Sequence, residues 1–259
     1  MVAAGRGERF GRAKQYEVVA GRRVLDWALE AARSVSDGVV VVVDDARSHA
    51  AEPLADAVVA GGPTRSASVR AGLAAVPDDA EVVVVHDAAR PCASPALFAA
   101  AIAAVARGAD AAVPGLALAD TVKRVGDDGV VAATLERAGL IAVQTPQAFT
   151  ADALRGAHGA AGEATDDAAL VEAAGGRVVV VVGEVANVKV TVPSDLTAAA
   201  GHLAGGAARR RGSGVAAVSA QKPTPTGRPD TEKDGCGGWC SSVVEVGWRG
   251  DAGLLGGGT

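Results

Sequence analysis

Charged side chains follow one of the most apolar runs in this sequence, and they are well placed to do chemistry. The run Val82–Val85 leads directly into His86 and Asp87, and Arg90 comes shortly afterwards. A carboxylate at the end of a buried strand can hold a metal ion or ribose hydroxyls, and an arginine beside it can hold a phosphate. An Asp turn with a surface Arg is the alternative. We interpret His86 as a structural residue, since lone histidines are more often satisfied buried groups than ligands.

Two glycine-bearing segments could approach a nucleotide closely. The chain opens with Met1-Val-Ala-Ala-Gly5, followed by Arg9 and Lys14. This segment lacks the third glycine of a dinucleotide fingerprint and the Gly-Lys-Ser/Thr of a Walker loop. Its amides could still meet phosphates, with the two basic residues beside them, although a flexible N-terminus would look the same. Gly61-Gly62 precedes a helical stretch that contains Ser68, so its backbone could come near a base or sugar.

Other features narrow the chemistry. Lys189 lies in the strand-like run Asn187-Val-Lys-Val-Thr191, where it must point at solvent or at an anion, and from the residues alone a surface lysine is the simpler interpretation. The histidines show no metal-ligand spacing, and the sequence contains no Gly-x-Ser-x-Gly elbow. The sequence therefore offers phosphate and sugar binders rather than a covalent nucleophile.

Composition excludes several classes of protein. Of the 259 residues, 49% are hydrophobic but only 3% are aromatic, so the core must be built from Ala, Val and Leu. A net charge of -5 without a basic stripe argues against nucleic-acid binding. Apolar runs such as Val39–Val43 are far too short to span a membrane. Three cysteines cannot form a disulfide framework for a chain this long, so we expect a cytoplasmic protein.

The hydrophobic pattern alternates between two periods. β-branched runs without polar alternation predict strands that are covered on both faces, at 38–43, 56–59, 81–85, 109–113 and 177–182. Stretches with a helical period lie between them, at 24–35, 66–76, 95–107 and 166–174. The pattern predicts an α/β fold: a Rossmann-like, mostly parallel sheet with helices on both faces. Ligands should then bind at the carboxyl ends of the strands.

Two segments depart from this pattern. Residues 120–136 read as two short strands around Gly126-Asp-Asp-Gly129, which predicts an inserted β-hairpin arm at about 117–138. Because an isolated hairpin is marginal in water, we expect it to pack on a second subunit, or alternatively on its own sheet. Residues 205–259 have no sustained apolar period, and we expect a disordered C-terminal tail or linker after a domain at 1–204.

Taken in order, these segments resemble one family, the 2-C-methyl-D-erythritol 4-phosphate cytidylyltransferases of the non-mevalonate isoprenoid pathway. The resemblance covers about residues 2–203 and is carried by Ala3-Ala-Gly5, Gly61-Gly62, Ser68-Val-Arg-Ala-Gly-Leu73, His86-Asp-Ala-Ala-Arg-Pro91, Asp120-Thr-Val-Lys-Arg124, Thr145-Pro-Gln147, Thr165-Asp166 and Asn187-Val-Lys-Val-Thr191. It implies transfer of a cytidylyl group from CTP to a sugar-alcohol phosphate, with Mg²⁺, in a homodimer that pairs through the hairpin arm.

The resemblance also implies roles for individual residues. The nucleotide would contact Ala3, Ala4, Gly62 and Ser68 through its base, and Asp87 and Ala88 through its ribose or metal. Gly5 would also bind CTP. The triphosphate would be surrounded by Arg9, Lys14 and Lys189. The methylerythritol phosphate would be received by Arg90, Thr121, Arg137 and Thr145. We expect Thr121 and Arg137 to reach over from the partner's arm, and Asp87 to hold the metal.

The sequence departs from the family at its start. Only Met1 and Val2 precede Ala3, where the family has a complete apolar strand, and Val2 replaces the usual proline. We expect the natural start to lie upstream. Two alternative functions stay open from the sequence: a cytidylyltransferase for another polyol phosphate such as ribitol 5-phosphate, and an inactive binding or scaffold remnant.

Overall fold

The β-branched runs form the strands of a central sheet. In this computed structural model, β3 (Val40–Val43) pairs in parallel with β4 (Ala57–Ala60), and β6 (Ala111–Ala117) with β11 (Val178–Val182). Between β5 (Val82–Val85) and β6 lies β10 (Gln147–Thr150), which is antiparallel to both. Strands β5 and β6 therefore run in the same direction, and β10 is a reversed strand. The sequence did not predict β10, because Gln147-Ala-Phe-Thr150 lacks a run of β-branched residues.

The remaining elements follow the predicted alternation. The shorter strands are β1 (Val18–Val19), β2 (Arg22–Arg23), β7 (Val122–Val125), β8 (Val131–Leu135) and β9 (Ile141–Val143). The helices are α1 (Val24–Arg33), α2 (Arg65–Leu73), α3 (Pro95–Ala106), α4 (Ala151–Gly159), α5 (Asp167–Ala173) and α6 (Asp195–Gly212), and a 3₁₀ helix spans Lys14–Tyr16. Ser94 caps α3 by accepting a hydrogen bond from the Leu97 N–H at 3.2 Å, with Pro95 at the first helical position.

Helices cover both faces of the sheet, as predicted. In β5, Val83 and Val85 pack in a cluster with residues of α2, α4 and α5, whereas Val82 and Val84 pack against α3. Successive side chains of a strand point to opposite faces, so a strand between two helical layers needs apolar residues at every position. This explains why the strand sequences show no polar alternation.

Strands β3 and β5 are connected through a few residues at the start of the chain. Val2 forms parallel bridges with Val42 and with Asp87. The Ala3 N–H donates to the Val42 carbonyl at 2.7 Å, and the Ala88 N–H donates to the Val2 carbonyl at 3.0 Å. Beside this contact lies a cavity of about 920 Å³, lined by the facing edges of β3 and β5 and by residues of α1, α2 and α3. Among the residues that the structure describes, Val2 thus bridges the two parts of the sheet, and the cavity lies between the rest of their facing edges.

Strands β7 and β8 form the predicted hairpin. They pair antiparallel from Val122↔Leu135, and the turn between them contains Gly129 at a φ of 77°, a conformation that favours glycine. Most side chains of the hairpin are exposed, including Val125 and Val131, each 54% exposed. The hairpin therefore presents apolar side chains to its surroundings.

The structure describes residues 1–5, 7–44, 47, 51–159 and 162–212, with side chains up to residue 205. These residues belong to one unit, Met1–Val215. Helix α6 continues to Gly212, beyond the domain boundary predicted at 204, and the rest of the predicted tail lies outside the described residues. Within the described ranges, none of the helices combines the length and the apolar character needed to cross a membrane.

Candidate active site

Asp87 lies at the carboxyl edge of the sheet, immediately beyond β5 and His86, and its side chain is 13% exposed. The Lys189 Nζ is 2.6 Å from the Asp87 Oδ2, and the Arg65 Nη2 is 3.8 Å from the Asp87 Oδ1. Burial alone raises the pKa of Asp87, but Lys189 and Arg65 together bring that pKa below its ordinary value. Asp87 is therefore an ionised carboxylate between two cations.

Lys14 belongs to the same group of charges. Burial is the largest influence and lowers the pKa of Lys14; the positive charges of Lys189 and Arg9 lower that pKa further, and the Asp87 carboxylate opposes them. The fold thus brings the predicted residues Lys14 and Lys189 near Asp87, and Arg9 near Lys14. We call Lys14, Arg65, Asp87 and Lys189 the strand-end cluster.

The opening loop is fixed by a residue that sequence reasoning missed. Gln15 is buried, and its Nε2 donates to the carbonyls of Ala3 at 2.6 Å and of Gly5 at 3.1 Å. Because Gln15 belongs to the same 3₁₀ helix as Lys14, these bonds set the distance between the loop and the lysine. A buried amide is hard to anticipate from sequence, where Gln15 resembles any polar surface residue.

The Gly61-Gly62 segment packs against the opening loop. A Cβ atom on Gly61 would lie 2.5 Å from the Ala4 Cβ and 2.9 Å from the Ser68 Oγ, and one on Gly62 would collide with the Ala67 Cβ. The Ser68 Oγ accepts a hydrogen bond from the Gly62 N–H at 3.2 Å. The opening loop therefore requires glycine at position 61, and the start of α2 requires glycine at position 62.

The 187–191 segment is tied to the loop that follows β5. The Arg90 Nη1 donates to the Asn187 carbonyl at 2.9 Å, and the Val190 N–H donates to the Ala89 carbonyl at 2.8 Å. Asn187 is buried and donates to the Thr145 carbonyl at 2.9 Å. Burial lowers the pKa of Arg90, and Asp87 opposes that shift. These bonds explain how Lys189, so distant in the chain, reaches Asp87.

A second buried carboxylate lies behind Arg65, and neither residue was predicted as part of the site. The Arg65 Nη2 is 2.8 Å from the Asp167 Oδ2, and the His158 Nε2 is 3.0 Å from the Asp167 Oδ1. Burial tends to lower the pKa of Arg65, but Asp167 and Asp87 raise it above its ordinary value. Arg65 therefore spans two carboxylates. In the sequence, Arg65 could have been noticed from its position after Gly61-Gly62, and Asp167 from the motif Thr165-Asp166-Asp167.

The remaining predicted residues divide between the cluster and the arm. Thr145 is buried, and its Oγ1 accepts a hydrogen bond from the Asp87 N–H at 3.0 Å. Thr121 and Arg137 are exposed on the hairpin, where the Arg137 guanidinium donates to the carbonyls of Leu118 and Ala119. Among the residues described, neither an ion pair nor a hydrogen bond links Thr121 or Arg137 to Asp87.

The donor set limits how a metal could bind. In the described ranges, no group of three or more His, Cys, Asp or Glu side chains could hold a metal ion. Mg²⁺ in nucleotide sites is usually bound by one or two carboxylates together with substrate phosphates and water. The ionised carboxylate of Asp87 fits that kind of binding.

The sequence and the fold were compared with those of known proteins. The family model described as 2-C-methyl-D-erythritol 4-phosphate cytidylyltransferase matches residues 1–204. The chain is 46% identical over 205 residues to the protein of that name from Rhodococcus opacus, covering 76% of this chain and 90% of that protein. It is 45% identical over 217 residues to the bifunctional enzyme IspD/IspF of Caulobacter vibrioides, covering 79% of this chain and 56% of that enzyme.

Solved structures agree with these sequence matches. The crystal structure of 2-C-methyl-D-erythritol 4-phosphate cytidylyltransferase from Thermus thermophilus is similar with a TM-score of 0.67 and 37% identity, covering 78% of this chain and 96% of that one. The bifunctional IspDF of Campylobacter jejuni is similar with a TM-score of 0.65 and 29% identity, covering 76% of this chain and 52% of that one.

Proposed function

The chain belongs to the 2-C-methyl-D-erythritol 4-phosphate cytidylyltransferase family, and we propose that the strand-end cluster carries its reaction. The enzyme transfers a cytidylyl group from CTP to 2-C-methyl-D-erythritol 4-phosphate. The products are 4-diphosphocytidyl-2-C-methyl-D-erythritol and pyrophosphate, and the step belongs to isoprenoid precursor synthesis.

The observation that carries the proposal is the crowding of like charges at Lys14. Burial lowers the pKa of Lys14, and the carboxylates of Asp87 and Asp195 do not offset the further lowering caused by repulsion of Lys14 by Lys189 and Arg9. A triphosphate lying against the three cations would relieve that repulsion. We therefore assign Lys14, Lys189 and Arg9 to the phosphates of CTP.

These residues act by alignment and charge neutralisation. An oxygen of the acceptor phosphate attacks the α-phosphorus of CTP, a new P–O bond forms, and the bond to the departing pyrophosphate breaks with its electron pair. The acceptor phosphate is largely ionised at neutral pH, because its second pKa is about 6. No general base is required, and the lysines stabilise the charge that grows on the phosphate oxygens.

The nucleotide would lie along the opening loop. Its base would contact Ala3, Ala4, Gly5, Gly62 and Ser68, and its ribose would lie near Asp87 and Ala88. The small side chains of this loop support the placement, since backbone without bulky side chains can approach a flat ring closely.

Asp87 would hold Mg²⁺ together with the phosphates of CTP. Bound there, Mg²⁺ neutralises phosphate charge and polarises the phosphorus under attack. The Asp87 Oδ2 accepts a hydrogen bond from Lys189 in the free enzyme. Binding of the nucleotide would exchange this ion pair for contacts of Lys189 with phosphate.

The acceptor site would be shared between two subunits of a homodimer. Arg90 and Thr145 lie beside Asp87 in one protomer, whereas Thr121 and Arg137 lie on the arm. Exposed valines on the hairpin and on the sheet edge at β11 support pairing of two copies, since apolar patches of this kind mark interfaces. They are Val125, Val130, Val131, Val180 and Val182. We also propose a cytoplasmic location, in keeping with the free thiol of Cys92.

Pyrophosphate release tests this proposal directly. With CTP and Mg²⁺, we expect turnover on 2-C-methyl-D-erythritol 4-phosphate to exceed turnover on ribitol 5-phosphate, and we expect chelation by EDTA to abolish it. Faster turnover on ribitol 5-phosphate would reassign the acceptor. Undiminished turnover in EDTA would remove Mg²⁺ from the proposal.

A further inference from the structure

The hydroxyl of Thr145 has two partners inside the protein. The Thr145 Oγ1 lies 3.0 Å from the Asp87 backbone nitrogen and 3.1 Å from the His86 Nδ1. The other ring nitrogen, His86 Nε2, lies 3.3 Å from the Arg90 carbonyl oxygen. His86 is 1% exposed, so these bonds are shielded from water.

The direction of each bond follows from its partners. A carbonyl oxygen can only accept, so the His86 Nε2 carries a proton and donates it to Arg90. The ring is buried, and its two nitrogens face a carbonyl oxygen and a hydroxyl rather than a carboxylate, so it carries a single proton, on Nε2, and its Nδ1 has none. The Thr145 hydroxyl must therefore donate to the His86 Nδ1. Its oxygen then accepts from the Asp87 N–H.

We propose that His86 is a positioning residue for the transfer reaction. Its Nδ1 accepts a hydrogen bond from the Thr145 hydroxyl, and this bond orients the Thr145 oxygen to accept from the Asp87 N–H. The proposal goes beyond the assignment of Thr145 as a substrate-binding residue. The hydroxyl has no second proton, so it cannot donate to the acceptor phosphate while His86 holds it. Besides lining the acceptor site, Thr145 therefore contributes to the reaction by fixing Asp87.

The loop after β5 explains why this bond would affect turnover. Asp87 begins the loop and Arg90 ends its tight turn, with the Arg90 N–H donating to the Asp87 carbonyl at 3.0 Å. His86 holds the start of the loop through Thr145 and its end through the Arg90 carbonyl. The Asp87 carboxylate meets Lys189 from this loop. A displacement of about 1 Å at such a position can cost roughly a hundredfold in rate.

Two substitutions separate the two bonds of the ring. The amide oxygen of asparagine lies near the position of a histidine Nδ1 and can accept from Thr145. The amide nitrogen of glutamine lies near the position of Nε2 and can donate to the Arg90 carbonyl. In His86→Asn the Thr145 bond is kept, and in His86→Gln the Arg90 bond is kept. Both variants lose the contact of the ring with Phe98, whose centroid lies 4.9 Å away, so each controls for the packing loss of the other.

We expect kcat to fall by roughly ten- to a hundredfold in His86→Gln and by only a few-fold in His86→Asn, because only the latter holds the Thr145 proton. The KM for CTP should change little in either variant, since the base-contacting loop is untouched. Thermal unfolding shows whether both variants fold. Equal kcat values for two folded variants would overturn the proposal, as would a larger loss in His86→Asn.

A spectroscopic measurement tests the same bond without relying on turnover. In ¹⁵N-labelled enzyme near neutral pH, we expect His86 to show a protonated Nε2 and an unprotonated Nδ1. Thr145→Val should shift the Nδ1 resonance by removing its donor. A proton on Nδ1 would overturn the proposal even in an active enzyme. Absence of CTP-dependent turnover in the unmodified protein would instead contradict the proposed function and leave this measurement valid.

Discussion

The strand-end cluster and the hairpin arm are built in opposite ways. In the cluster, Arg65, Asp87 and Lys189 are held by ion pairs between distant parts of the chain, such as the Lys189–Asp87 pair. On the arm, the bonds that Arg137 forms with described residues go to the nearby carbonyls of Leu118 and Ala119, and Thr121 and Arg137 are both exposed. The cluster therefore has its geometry before substrate arrives. The arm supplies functional groups only if a second copy brings them to the site.

Neutralising Lys189 should have the largest effect on rate. We expect Lys189→Met to lower kcat by about 10²–10³-fold, because one preorganised cation beside the reacting phosphates is lost. Arg33→Met is the matched control: it also removes one cation, but Arg33 pairs with Asp56 at the amino end of β4. The control should keep nearly normal turnover. If the two variants differed little, the cluster would not be the catalytic half of the molecule.

Substitution of Arg137 tests whether the arm acts across the proposed dimer. We expect Arg137→Ala to lower kcat/KM for the acceptor by roughly a hundredfold while leaving the KM for CTP unchanged. Mixing it with Lys189→Met should then restore activity, because one site of each mixed dimer receives both intact residues. Random pairing gives about a quarter of normal turnover, half the dimers being mixed with one intact site each.

The unmixed variants supply the control for that restoration. Each variant incubated with itself should stay at its own low turnover, and the mixture should rise as subunits exchange. If the mixture stayed at the average of the two variants, Arg137 would act within its own chain and the contrast between the cluster and the arm would disappear.

Met1 lies beside the cavity between β3 and β5. The Met1 amino group donates to the Val40 carbonyl at 2.8 Å beside the 920 Å³ cavity, and burial lowers its pKa to about 6 from an ordinary value of 8.0. The unfolded chain holds this proton up to about pH 8, whereas the folded chain releases it near pH 6. Folding of a chain that keeps Met1 should therefore gain roughly 2–3 kcal/mol as the pH rises from 6 to 8.

Extensions upstream of Met1 distinguish the effect of the Met1 charge on stability from the effect of filling the cavity. About five β-branched residues added before Met1 should remove the extra pH dependence and also raise stability, because they can pair with β3 and β5 and fill the cavity. A Gly-Ser extension of equal length should remove only the pH dependence. Urea unfolding at pH 6, 7 and 8 measures both effects, and identical pH slopes for all three chains would contradict the charge argument.

The contrast between the cluster and the arm also shows what the sequence could predict. Strands β3, β5 and β11 were predicted because long β-branched runs satisfy burial on two faces, which is a local requirement. Strand β10 was missed, since its place in the sheet depends on pairing with β5 and β6 rather than on its own residues.

The same distinction applies to the site. Asp87 and Arg90 were predicted as functional because they follow a strand-like run, whereas Lys189 was assigned a function only because its motif resembles that of a known family. Arg65 and Gln15 were missed, because their importance comes from buried partners that the fold brings from elsewhere. Local patterns locate residues at the sheet edge, but only tertiary contacts identify the side chains that hold them there.

Substitution of Arg65 should have the smallest effect on rate, and it tests whether the buried Asp167 supports the cluster. Arg65→Lys keeps the charge but loses the planar guanidinium that reaches both Asp87 and Asp167. We expect a roughly tenfold loss of kcat/KM for CTP with Mg²⁺ present. The Asp87 carboxylate would still have a cation beside it, but that cation would no longer hold the carboxylate in its orientation. Asp167→Asn should produce a loss of similar size, since it releases Arg65 from behind. The double variant should be little worse than either single variant, because one linkage is broken in all three. Losses that multiply would mean that Arg65 and Asp167 act separately, and the cluster would then not depend on the buried carboxylate beneath it.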